Sequence, residues 1–153
     1  MKSRLSNREM KAWHPFIQLT EVLRSRIEQQ LQAESGLSVA DYAVLSQLSE
    51  TPDGRMRAYE LSHELGWDKS RLHHQLTRMG KRGLIQREAF GSRGIIVAVT
   101  TDGRRTIEKA APAHAQHVRG LLIDRLTPAQ LDQLGEISQI LLDSLLADDD
   151  VSG

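Results

Sequence analysis

The stretch MRAYELSHELGWDKSRLHHQLTRMGKRGLIQREAFGSRGIIVAVT, residues 56–100, decides the fold. Ala58-Tyr59-Glu60-Leu61-Ser62-His63-Glu64-Leu65 has the spacing of a short helix, and Gly66-Trp67 breaks it. Asp68 is a good N-cap for a second helix from Lys69 to Lys81, which Gly83 stops. Two runs of β-formers follow, 84–88 and 95–99, joined by a loop over 89–94. Two short helices with a glycine turn and a hairpin behind them read as a winged helix-turn-helix. In such a fold the second helix is the one that enters a DNA groove.

Outward from this centre the chain reads as helical. Ser6-Asn7-Arg8-Glu9 is a capping-box pattern, and the helix it opens runs to about Glu34 with an apolar stripe at Trp13, Ile17, Leu23, Ile27 and Leu31. Pro15 falls inside, and we read one kinked helix. Gly36 ends it. Ser38 caps the next helix, to about Glu50, with Tyr42, Val44, Leu45 and Leu48 inward. Thr51-Pro52-Asp53-Gly54 is a turn, and residues 55–57 can add a short strand. Thr100 or Thr101 caps a helix to about Leu126 that Pro112 interrupts. Thr127-Pro128 opens the last helix, expected to end near Ala147. The expected organisation is an N-terminal dimerisation helix (1–35), a winged helix-turn-helix lobe (36–100), C-terminal dimerisation helices (101–147) and an acidic, frayed tail (148–153). The fold class is mainly α with a small β-hairpin wing.

The last helix carries Leu131, Leu134, Ile137, Ile140, Leu141, Leu142, Leu145 and Leu146, a wider stripe than one packed face needs. A two-fold dimer built from the first and last helices would cover it.

Composition narrows the function. Among 153 residues there is no cysteine, which excludes disulfides, thiol redox sensing and cysteine–metal sites. There is no signal-peptide core and no membrane-length apolar run, so a soluble cytoplasmic protein is expected. The formal net charge is zero but unevenly placed. Residues 1–54 hold six Lys/Arg and seven Asp/Glu, residues 55–109 twelve and six, and residues 110–153 two and seven. The positive charge therefore sits on the winged segment, where phosphate neutralisation needs it.

On the second central helix Leu72, Leu76 and Met79 lie within roughly 60° of one another and form the core stripe. Ser70, His74, Thr77 and Lys81 lie opposite, flanked by Arg71 and Arg78, with Lys69 at the helix start. Ser70, Arg71 and His74 suit base edges, while Arg78 and Lys81 suit phosphates. His73 points to the other flank and reads as packed. In the hairpin tip Phe90-Gly91-Ser92-Arg93-Gly94, Arg93 suits the negative potential of a minor groove.

The segments GLSVADYAVLSQLSE (36–50), LSHELGWDKSRLHHQLTRMGKRGLIQRE (61–88), VAVTTDGRRTIEKAAPAHAQHVRGLLIDRL (97–126) and LTPAQLDQL (126–134) together resemble the MarR family of bacterial transcription regulators. The resemblance spans nearly the whole chain. It implies an obligate homodimer gripping a palindromic operator in double-stranded DNA. It also implies a small-molecule effector, often a phenolic or other aromatic anion, bound between the dimerisation helices and the DNA-binding lobe to release DNA. On that reading the pocket candidates are Trp13, His14, Phe16, Tyr42 and His114. Two positions depart from the family pattern. Gly91 stands where an Asp commonly braces the wing arginine, and His74 stands where the reading helix often has Arg.

His114 and His117 have i,i+3 spacing on one helix but no third partner nearby, so no metal site is expected. Nor is any cofactor. No nucleophile–base pair, phosphate loop or carboxylate pair is present, so the chain does not read as an enzyme. The expected function is a ligand-released repressor. The alternative is a winged-helix module that binds a protein instead of an operator. It should have lost the basic face that Arg71, Arg78, Lys81 and Arg93 form here.

Overall fold

The structure is a computed structural model. It describes residues 4–152, with only the backbone of Arg93 and Ser152. Six α-helices and three short strands are present among the described residues: α1 Asn7–Ser35, α2 Val39–Glu50, β1 Arg55–Arg57, α3 Ala58–Leu65, α4 Lys69–Lys81, β2 Ile85–Ala89, β3 Ile95–Val99, α5 Thr101–Leu121 and α6 Pro128–Ser152.

Local chemistry places most of the boundaries. Ser6 and Glu9 close a reciprocal capping box at the start of α1, and Ser38 and Asp41 close another at α2. Gly36 ends α1 in the left-handed region at φ 69°, and α1 is one helix through Pro15. Thr100 is the cap of α5, accepting from Gly103 N–H at 3.0 Å. Thr127 and Gln130 cap α6 reciprocally.

Four expectations are corrected. The first hairpin strand starts at Ile85, one residue later than expected, because Leu84 N–H donates to Met79 O and closes the end of α4. Leu122 leaves the helical region (φ −132°, ψ −60°), so α5 stops at Leu121, short of Leu126. A 3₁₀ turn over Ile123–Arg125 follows, and Arg125 Nε donates to Gly120 O, replacing the missing helical donor. The last helix does not end near Ala147. It runs through Asp148-Asp149-Asp150 to Ser152, since no glycine or proline falls between Ala147 and Ser152. Finally, Trp13 and Ile17 of the α1 stripe are exposed, whereas Leu23 and Ile27 are half-buried and Leu31 is buried.

The sheet is antiparallel with order β1-β3-β2, so the short strand expected at 55–57 is present and lies on the far edge from β2. Ile85 faces Val99 and Ala89 faces Ile95 in the hairpin. One core joins the sheet to four helices. Leu37, Val44, Leu45, Leu48, Leu61, Leu72, Leu76, Met79, Ile85, Val97 and Ile107 are buried, with Tyr42, Met56 and Trp67 packed at its edge. Full burial of each large side chain contributes about 1.5–3 kcal/mol, so α4 is held by one face.

The terminal helices are different. On α1 Trp13, Phe16, Leu19 and Val22 are exposed, and on α6 Ile137, Ile140, Leu141, Leu142 and Leu145 are 50–62% exposed. Among the described residues no helix is long and apolar enough to cross a membrane.

Candidate nucleic-acid interface

The reading helix is aimed by its own N-terminus. Gly66 adopts φ 65°, which lets the chain turn between α3 and α4, and Trp67 N–H donates back to Ser62 O at 2.9 Å. Asp68 then caps α4, accepting from Arg71 N–H at 2.8 Å. With Leu72, Leu76 and Met79 buried, helix geometry turns Ser70, Arg71, His74, Arg78 and Lys81 outward, and all five are exposed, while Lys69, in the first turn, is exposed on the flank nearer Leu72 and Leu76. The structure thus gathers five of the expected seven α4 residues on one open face.

Thr77 is the seventh and is half-buried. Its hydroxyl donates to His73 O at 2.9 Å and accepts from Arg87 Nη2 at 3.2 Å. His73 is exposed where packing was expected, and it meets a side chain from the wing. Arg87 on β2 lies 3.2 Å from His73 Nδ1. A guanidinium has no acceptor, so in this contact it can only donate to the ring nitrogen. The wing is thereby tied to the reading helix. Two further arginines are engaged within the lobe: Arg55 with Glu88 at 2.6 Å across the sheet, and Arg82 with Asp41 at 2.6 Å.

Arg71 is held over the Trp67 ring, 4.3 Å from its centroid. Arg57 stands 5.6 Å over Phe90 at the base of the hairpin tip. The side chain of Arg93 lies outside the described residues. Its backbone is in a 3₁₀ turn over Gly91–Arg93, closed by Phe90 N–H donating to Gly94 O at 2.9 Å.

Sequence reasoning missed three participants: Gln75, Arg87 and Arg57. Gln75 is only 3% exposed, within the apolar stripe of α4. A polar residue in an apolar stripe is itself a signal, since burial demands hydrogen-bond partners.

The pocket candidates divide. Tyr42 on α2 and His114 on α5 meet at 4.2 Å between ring centroids. Burial raises the Tyr42 phenol above its ordinary value and lowers His114, with the charge of His117 lowering His114 further. Trp13, His14 and Phe16 do not join them within one chain. His117 Nε2 lies 3.2 Å from Arg26 O, which puts His114 level with the C-terminal third of α1. Trp13 is thirteen residues up that helix from Arg26, about 20 Å away. Among the described residues no group of three or more His, Cys, Asp or Glu side chains could hold a metal ion.

Sco3205 from Streptomyces coelicolor, a MarR family transcriptional regulator solved in complex with DNA, is 33% identical, with a TM-score of 0.89 over 93% of this chain and 94% of that one. AbsC, a MarR family regulator from the same organism, is 35% identical, with a TM-score of 0.88 over 94% of this chain and 98% of that one. The chain belongs to the MarR family. This MarR protein shares its fold with more distant structures as well. CouR from Rhodococcus jostii RHA1, solved with p-coumaroyl-CoA, is 20% identical with a TM-score of 0.73 over 84% of this chain and 88% of that one. No protein-family model matches the MarR chain described here, and no curated protein sequence does. MarR proteins are transcriptional regulators, not enzymes, and this one has the mainly α winged fold of that family.

Proposed function

We propose that the protein is a sequence-specific DNA-binding repressor that acts as a homodimer. The observation that carries the reading is the open face of α4, where Ser70, Arg71, His74, Arg78 and Lys81 are exposed while the opposite face is buried, with Lys69 exposed at the helix start. Ser70, Arg71 and His74, near the helix start, read base edges in the major groove. Arg78 and Lys81 hold phosphates, and Thr77 supports the helix–wing junction. Arg93 at the hairpin tip contacts the adjacent minor groove. The DNA-bound Sco3205, 33% identical over nearly the full chain, supports this assignment.

The faces of α1 and α6 support the dimer. Both carry exposed apolar side chains that a monomer would leave in water. Two copies related by a two-fold axis would present two α4 helices to a palindromic operator. A small aromatic or anionic effector then releases the DNA. The Tyr42–His114 pair forms one wall of its site.

The deciding experiment is selection of bound sequences from a random duplex library, followed by affinity measurements over a range of salt. A palindromic consensus and a steep fall of affinity with salt are expected. A screen of small aromatic acids for DNA release follows. No salt-dependent duplex binding would favour the protein-interaction alternative.

A further inference from the structure

Stability alone would place an apolar side chain at Gln75, between Leu72 and Met79 on the buried face of α4. Its amide is instead wired at both ends. Nε2 donates to Asp41 Oδ1 at 2.6 Å, and Oε1 accepts from Arg78 Nη2 at 2.7 Å. The orientation admits no flip, because a carboxylate only accepts and a guanidinium only donates. Asp41 is 4% exposed and is itself fixed. Its Oδ2 accepts from Ser38 N–H at 2.9 Å and from Arg82 Nη1 at 2.6 Å, and Arg82 Nη2 donates to Gly36 O at 2.9 Å.

We infer that Gln75 is a positioning residue that presents Arg78 to DNA, with Asp41 as its charged anchor. The inference rests on the DNA-binding reading above. Its physical basis is a head-to-tail chain of donors. The anionic carboxylate polarises the Gln75 amide, and that strengthens the amide oxygen as an acceptor for Arg78. One of Arg78's N–H donors is spent in this way. An otherwise flexible exposed arginine is then held in one place before DNA arrives, which lowers the entropy lost on binding. The anchor lies at the corner between α1 and α2, so the same carboxylate that starts α2 also sets a side chain on the reading face.

The test has two arms. In the DNA-free protein, NMR relaxation of the Arg78 Nε–H should report a restrained side chain, unlike the exposed Arg105. Gln75→Met should release Arg78 and leave Arg71, stacked on Trp67, unchanged. Gln75→Leu serves if the first variant does not fold. An Arg78 as mobile as Arg105 in the unmodified protein would overturn the inference without any variant. In the second arm, affinity for the selected duplex is measured as a double-mutant cycle. Gln75→Met should weaken binding about three- to tenfold and lower the salt slope, but have no further effect in the Arg78→Ala background. Additive losses mean that Gln75 is merely structural, and an Arg78→Ala variant that binds like the unmodified protein also sinks the inference. If the unmodified protein binds no duplex, the DNA-binding reading fails, and the relaxation arm alone decides whether Gln75 holds Arg78.

Discussion

The Arg71 guanidinium carbon sits 4.3 Å over the centre of the Trp67 ring. Trp67 is half-buried against the core, so the platform under Arg71 is rigid. Arg71→Ala should cost about 1–3 kcal/mol of operator affinity and relax preference at one or two base pairs. Trp67→Phe should keep most of the affinity. Binding isotherms on the operator, its single-base variants and unrelated duplex would check this. Equal weakening of all three by Arg71→Ala would mean the side chain holds phosphate instead.

Assembly is open to a direct test. Ile140 and Leu145 on α6 are 61% and 62% exposed in the single chain. Ile140→Glu combined with Leu145→Glu should abolish the proposed dimer and leave monomeric or aggregated protein, because these side chains have no cover within one chain. Sedimentation velocity with circular dichroism would decide. A well-folded dimer from the double variant would remove α6 from the interface.

Gly103 is a stability prediction independent of DNA. It sits in the first turn of α5, where an added Cβ would press into the Leu84 carbonyl oxygen and reach Val99 Cγ2 at 3.0 Å. Gly103→Ala should destabilise by about 1–3 kcal/mol, seen as a lower denaturant midpoint at unchanged m-value. An unchanged midpoint would mean that α5 can lift off the hairpin at little cost.

The Tyr42–His114 contact predicts a pH dependence. Burial, then the charge of His117, holds His114 below its ordinary value of 6.5 in the folded protein. The unfolded chain therefore takes up the proton first. The stability from neutral His114 is full above 6.5 and falls as pH drops from 6.5 towards the lower folded value. The comparison is with His114→Phe. Between about pH 7.5 and 5.5 the unmodified protein should lose more stability than this variant. Parallel losses would show that His114 titrates normally.

Much of this architecture is legible in the sequence because its determinants are local. Ser6 with Glu9, Ser38 with Asp41, Asp68 and Thr100 each sit within three residues of the group they cap, and Gly36 and Gly66 mark left-handed ends. The exposed face of α4 follows from helical periodicity alone. What stayed hidden depends on distant partners. Gln75 looks like an ordinary polar interruption until Asp41, thirty-four residues away, is brought to it. His73 reads as packed until the hairpin register places Arg87 beside it. Gly120 gives little sign that an arginine five residues on will take over its carbonyl and end α5.

The extra length of α6 has a practical consequence. Its twenty-five residues form a rod of about 38 Å. That rod carries Leu146 to within 3.6 Å of where a Gly66 Cβ would stand, and Asp149 and Asp150 line one depression with His63 and Trp67. An affinity tag or fluorescent protein fused after Ser152 would therefore emerge beside the turn that aims the reading helix, and would crowd an incoming duplex. Binding should be measured after such a tag is cleaved. The same geometry makes Asp150→Cys, in a chain with no cysteine of its own, a unique attachment point for a dye that would sense duplex arriving at that turn.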